Sequence, residues 1–214
     1  MKTLILGRGE VGTALAEVLA DYRPTVLDKG ERVDDRFDVM HVCFGHSPTF
    51  DAIVRDYQGD YRPDLTVIHS TVPVGTSRRL GAIHSPIRGQ HPHLAEGIRT
   101  FEKFIGGADA SKVADYFRRA GLRVRLFDKQ EATELGKLLE TESYRVNIEF
   151  CKRAKELCDS YEVNFHEAYT LQAESYNDGY TRLGRPEYLR PVLQPIAGDI
   201  GGHCVGPNKA LLER

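Results

Sequence analysis

Lys2-Thr3-Leu4-Ile5-Leu6-Gly7-Arg8-Gly9-Glu10-Val11-Gly12-Thr13-Ala14-Leu15, answered by Thr25-Val26-Leu27-Asp28, is the stretch that decides the fold. The apolar run before Gly7 reads as a strand. After it, Val11, Leu15, Val18 and Leu19 recur at helical spacing, so the chain reads as strand, tight turn and helix. Pro24 breaks that helix, and the second short strand ends in an acid. Each glycine answers a physical need. Gly7 permits the turn, Gly9 lets a pyrophosphate approach the backbone, and Gly12 lets helix and strand pack. Free N–H groups at the helix start then face the phosphates. Glycines alone would also suit an ordinary turn, but the strand before them, the helix after them and Asp28 beyond decide for a dinucleotide site. Asp28 accepts from ribose hydroxyls and repels a 2′-phosphate, so the expected cofactor is NAD. Arg8, Glu10, Val11 and Lys29 are expected beside it, Lys29 as a solvated surface lysine.

Outward from this unit, further strands are expected at 39–44, 65–69, 83–87, 104–106 and 122–127, with helical patterns between several of them. Alternating strands and helices predict an α/β, Rossmann-type, doubly wound and mainly parallel sheet. From Gln130 the pattern changes. Leu135, Leu138, Leu139, Val146, Phe150, Ala154 and Leu157 keep helical spacing without a proline, which predicts one long helix. A second helix is expected after Asn164, a capping residue, running to the turn signal Asn177-Asp178-Gly179. The Gly- and Pro-rich remainder reads as extended, closing on a short helix at 208–212. The expected organisation is a cofactor-binding domain at 1–128 and a helical, cysteine-bearing segment at 129–214.

The 214 residues are enough to bury a sizeable core. Lys+Arg 29 against Asp+Glu 31 leaves no basic stripe, so no nucleic-acid partner is expected. No apolar run approaches the roughly 20 residues of a membrane span, and the N-terminal run is too short for a signal peptide. A cytoplasmic protein with no membrane partner is expected. The four cysteines are scattered, which suggests neither zinc site nor disulfide framework. Cys43, Cys151 and Cys158 read as packed, structural residues. His84, His91 and His93 lie close in sequence, but Pro92 fixes an extended His-Pro-His of unusual ligand spacing, so no metal is expected. His91 or His93 is expected to line a substrate cleft instead.

Three further segments carry a resemblance. They are Ser70-Thr71-Val72-Pro73-Val74-Gly75-Thr76, then Lys137-Leu138-Leu139-Glu140 with Tyr144-Arg145-Val146-Asn147-Ile148, then Gly201-Gly202-His203-Cys204. In kind, order and approximate spacing they resemble the UDP-glucose/GDP-mannose dehydrogenase family of nucleotide-sugar dehydrogenases, over nearly the whole chain. The resemblance implies an NAD-dependent oxidation of an alcohol, with Ser70, Thr71, Pro73 and Thr76 beside the nicotinamide. It assigns Lys137 to oxyanion stabilisation and Cys204 to a thiolate that captures an aldehyde as a thioester. Thr71 and Glu96 would orient a water or proton, Glu96 after a one-residue slip in alignment. The residues agree for Cys204. Gly201-Gly202 give the thiol little to pack against, and a helix starting near Pro207 would lower its pKa.

The departures from the family are specific. Thr141 stands where the family has an asparagine and Asn208 where it has an aspartate. The family continues after its cysteine with a second Rossmann-like domain that holds the substrate nucleotide, which these residues do not include. Besides a dehydrogenase of a small-molecule alcohol or sugar-derived substrate, two readings compete. One is a non-catalytic NAD-binding module, or a truncated relative needing a partner chain. The other is a β-hydroxyacid-type dehydrogenase, which needs Lys137 and no cysteine. A homodimer through the long helix is expected from its surplus of apolar surface, and the resemblance implies the same.

Overall fold

The computed structural model describes residues 1–198, 200 and 205–212. Its sheet has seven strands: β1 (Thr3–Leu6), β2 (Thr25–Leu27), β3 (Val39–Val42), β4 (Leu65–Ile68), β5 (Ile83–His84), β6 (Lys103–Gly106) and β7 (Val124–Phe127), in the order β2-β1-β3-β4-β5-β6-β7. All neighbours are parallel except β5 and β6, which join through His84 and Gly106. β1, β3 and β4 are buried along their whole length, as parallel strands covered on both faces must be.

Alternation along β1 divides the core. Ile5 points to one face, where it joins Leu15 and Leu19 of α1 (Glu10–Val18) and its end, Leu94 and Ile98 of α4 (Leu94–Thr100), and Val113 and Phe117 of α5 (Ala110–Arg119). Leu4 and Leu6 point to the other, with Phe50, Val54 and Tyr57 of α2 (Phe50–Tyr61). Leu6 pairs with both Leu27 and Val42, Val42 with Ile68, and Ile68 with His84. The segments that follow these strands therefore leave the sheet along one edge. There the strand order reverses between β1 and β3, the place where doubly wound sheets bind ligands.

The expected mainly parallel, doubly wound sheet is present. β3, β4 and β5 end one to three residues earlier than their expected runs, although the Cys43, His69 and Ser85 N–H groups still donate to Leu6, Val42 and Ile68 of the neighbouring strands, whereas β6 and β7 end where expected. Between β2 and β3 the chain crosses as a loop, without a helix. A short helix α3 (Thr76–Arg79) follows β4.

α6 (Gln130–Ser160) is the single long helix, 31 residues or about 46 Å at 1.5 Å per residue. The chain divides into two compact units, Met1–Leu138 with the end from Leu211, and Leu139–Ala210. In the second, Asn164 caps the next helical segment as expected: its Oδ1 accepts from the backbone N–H groups of His166 (2.8 Å) and Glu167 (3.2 Å). A π-helical turn, His166–Thr170, leads into α7 (Leu171–Arg182). The predicted turn at Asn177-Asp178-Gly179 is corrected, since α7 runs through it. The Asn177 amide bonds the N–H (2.9 Å) and C=O (2.8 Å) of Arg190, whose guanidinium lies 3.7 Å from the Tyr176 ring centre. That use of the side chain leaves it no part in a turn. The left-handed Gly184 (φ +65°) follows the helix end instead. The last helix, α8 (Val205–Leu212), starts three residues before the expected 208. Pro207 falls in its first turn, where a missing N–H costs nothing.

Candidate functional site

The glycine turn has the geometry its sequence implied. Gly7 is left-handed (φ +102°), and a Cβ there would stand 3.0 Å from the Phe44 nitrogen. A Cβ on Gly12 would meet the Gly7 carbonyl oxygen at 1.8 Å, so helix and turn can pack only through glycine. Gly9 is different: a Cβ there would meet nothing within 4 Å. Gly9 is also the N-cap of α1 and offers no side-chain cap. The open space beside Gly9 thus lies at the positive end of the helix, a cradle that a dinucleotide pyrophosphate fits. The Gly7 N–H ties the turn to β2 through the Leu27 carbonyl at 2.8 Å.

Asp28 follows β2 and is exposed, with Oδ1 accepting from the Lys29 N–H at 2.9 Å. A second acid, not singled out in the sequence, sits beside it. Glu31 Oε2 accepts from the Asp28 N–H at 2.8 Å and from Arg8 Nη2 at 2.7 Å, while Oε1 accepts from Arg8 Nη1 at 3.2 Å. The Asp28 N–H first, and Arg8 second, hold the Glu31 carboxyl below the usual carboxylate range. Tyr57 braces the turn, accepting from the Gly30 N–H at 2.9 Å.

The Ser70–Thr76 segment is anchored at several points. The Ser70 hydroxyl donates to the Phe44 carbonyl at 2.6 Å, and Thr76 donates to the Pro73 carbonyl at 2.7 Å. Glu134, only 1% exposed, accepts from the N–H groups of Gly75 (2.6 Å) and Ser77 (2.8 Å). Burial raises its pKa, and those N–H groups oppose the rise. His84 completes the brace. Its Nε2–H donates to the Ser70 carbonyl at 3.2 Å, which leaves Nδ1 to accept from the Thr133 hydroxyl at 2.8 Å. Lys137 is three and four residues beyond Glu134 and Thr133, hence on their face of α6. Its charge acts on His84 and on Lys103. Lys137 thus lies on the face of α6 from which Glu134 and Thr133 bond to Gly75, Ser77 and His84. Glu134, His84 and Thr133 were missed; the Glu-x-x-Lys spacing was the available signal for the first.

Behind this loop lies a buried polar chain. Lys103, 3% exposed, donates to the carbonyls of Ser85 (2.8 Å) and Pro86 (3.0 Å). His69 Nδ1 lies 2.6 Å from the Ser85 carbonyl, so it carries the proton. Nε2 then accepts from His41 Nδ1–H at 2.9 Å, and His41 Nε2 from the Tyr116 hydroxyl at 3.3 Å. Burial pushes Lys103 down to about 7 and holds His41 and His84 at about 3, with His69 well below its ordinary value. Burial likewise pushes the Cys43 thiol up to about 12, in keeping with a structural cysteine. Cys151 and Cys158 are buried too.

Other expected residues fall elsewhere. Glu96 is exposed on the first turn of α4, outside the hydrogen bonds just described. His91 pairs with Glu10, over the first turn of α1, and His93 is the N-cap of α4. His84, buried in its own bonds, is separate from both. In the second unit, Asn208 Nδ2 donates to the Thr141 hydroxyl at 3.1 Å, so the two positions that depart from the family pattern are bonded to each other. Cys204 and its neighbours Gly201, Gly202 and His203 lie outside the described residues.

No family model matches the sequence, and no curated protein does. Solved structures match in fold. The UDP-D-ManNAc dehydrogenase of Pyrococcus horikoshii superposes with a TM-score of 0.78 at 20% identity, covering 99% of this chain and 64% of that one. The NDP-N-acetyl-D-galactosaminuronic acid dehydrogenase of Methanosarcina mazei Go1 gives 0.71 at 19% identity, over 99% and 60%. The 3-hydroxyisobutyrate dehydrogenase of Mycobacterium tuberculosis gives 0.58 at 16%, over 77% and 67%. The chain thus spans less than two thirds of the nucleotide-sugar dehydrogenases it superposes on, and what it shares with all three is a Rossmann-type fold.

Proposed function

We propose that this chain is an NAD-dependent dehydrogenase that oxidises an alcohol on a small, sugar-derived molecule. The observation that carries the reading is the common edge of the sheet. The glycine turn after β1 and the loop after β4 that Glu134 braces leave strands in register with one another. Bound there, NAD supplies the acceptor for the hydride of the alcohol carbon. Gly7, Arg8, Gly9, Glu10, Val11 and Gly12 hold its pyrophosphate, Asp28 and Lys29 flank its adenosine ribose, and Ser70, Thr71, Pro73 and Thr76 flank its nicotinamide. The Lys137 ammonium, fixed by the helix turn that Glu134 and Thr133 anchor, stabilises negative charge on the reacting oxygen. Thr71 and Glu96 orient a water or proton.

In this reading Cys204 is the nucleophile, Asn208 stands in the place of the family's aspartate, and the functional division falls at 1–128 and 129–214. The protein acts in the cytoplasm as a homodimer. Leu139, Val146, Phe150 and Leu157 are 42–61% exposed on α6 at heptad spacing, the seam a second copy would cover. Among the described residues no helix is long and apolar enough to cross a membrane.

A panel of alcohols with NAD, run on wild type and Cys204→Ser, tests the reading. Turnover in the wild type and an arrest at the aldehyde in the variant support it; no turnover of any alcohol counts against it. The Asn208–Thr141 bond favours one second reading, a non-catalytic NAD-binding module, because it joins the two positions that depart from the family pattern to each other. Under that reading NAD binds and no alcohol is oxidised. A β-hydroxyacid dehydrogenase would turn over equally well with Cys204→Ser.

A further inference from the structure

Arg8 follows the turn glycine Gly7, and its guanidinium reaches the end of β2, where Nη2 lies 3.3 Å from the Val26 carbonyl. A guanidinium beside the ribose-binding acid is the group best suited to take a 2′-phosphate, since its planar fork matches phosphate oxygens. Left to itself, Arg8 would favour NADP. The structure gives that fork to Glu31, which accepts from both terminal nitrogens while its own position is fixed by the Asp28 N–H. We propose that Glu31 is a specificity residue that keeps Arg8 from a 2′-phosphate, so that selection of NAD rests on the Arg8–Glu31 pair as well as on Asp28.

The pair is poorly explained as a stabilising device. Both side chains are about half exposed, 53% and 45%, where solvent screens an ion pair and it adds little to stability. Its charge matters more. Arg8, Lys29, Asp28 and Glu31 balance to neutrality, and the nearby Arg32 is held by Asp56 and Asp60. Neutralising Glu31 removes one negative charge from this corner and frees the Arg8 guanidinium from its carboxylate partner, the group a 2′-phosphate site needs.

This inference rests on the dinucleotide reading of the turn. Calorimetric titration of wild type, Glu31→Gln and Arg8→Gln/Glu31→Gln with NAD and with NADP separates the two. We expect Glu31→Gln to narrow the preference for NAD over NADP by about tenfold or more, through tighter NADP binding, and the double variant to lose that gain. Wild type that binds NAD, with a preference moved less than threefold by Glu31→Gln, overturns the role of Glu31 alone. A gain retained in the double variant overturns the role of Arg8. Wild type that binds neither cofactor removes the dinucleotide reading and this inference with it. Because Glu31 is exposed, Glu31→Gln should melt as wild type does, which a thermal scan checks.

Discussion

Acidification should begin to destabilise Met1–Leu138 below about pH 6.5, before most carboxylates protonate. His41 and His84 are buried and held neutral, with pKa values of about 3 against 6.5 in an unfolded chain. A base with a lowered folded pKa takes its proton only on unfolding, so its share of stability is complete above pH 6.5 and is lost as the pH falls toward 3. At 1.36 kcal/mol for each pH unit, each histidine forfeits about 2 kcal/mol by pH 5, and the two together about 4 kcal/mol. His69 acts in the same direction. A typical domain has about 5–15 kcal/mol in all, which places the transition near pH 4–5. Equilibrium urea unfolding followed by circular dichroism at pH 7, 6 and 5 measures the loss. A fall of less than about 1.4 kcal/mol between pH 6 and 5, the effect of one proton, would refute the buried-histidine account. Lys103 extends the trend upward: with a folded pKa of about 7 against 10.5, its contribution rises with pH between those values.

Other expectations follow from the site. Glu134→Ala should cost about 2–4 kcal/mol in the same assay, because the Gly75 and Ser77 N–H groups lose their acceptor, and a change below about 1 kcal/mol would deny the brace. Gly12→Ala should abolish measurable NAD binding, because its Cβ would press on the Gly7 carbonyl at 1.8 Å; wild-type affinity in a calorimeter would contradict this. Light scattering at micromolar concentration should give twice the chain mass if the exposed α6 seam pairs two copies. Cys204 should alkylate faster than the buried Cys43, Cys151 and Cys158, and NAD should slow it; equal rates for all four would leave the reaction without its nucleophile.

The residues differ in how far the sequence alone disclosed them. Gly7, Gly9, Gly12 and Asp28 were legible because each meets a local steric or charge requirement that only a few residue types satisfy. α6 was legible because its apolar period runs unbroken for 31 residues. The path of α7 was not, since Asn177 serves Arg190 in space and only a tertiary contact reveals it. Lys103, His41 and His69 are polar residues within or bordering apolar strand runs, and their value lies in partners 17 to 34 residues or more away. Glu31 shows the same limit at short range: an acid three residues past Asp28 reads as surface charge until Arg8 is seen folded onto it.

The central claim, a dinucleotide site on the glycine turn, is tested most directly by calorimetric titration of the wild-type chain with NAD and with NADP. The account predicts saturable binding of one NAD per chain, with NADP bound more weakly. Tighter binding of NADP, or no binding of either, would contradict it.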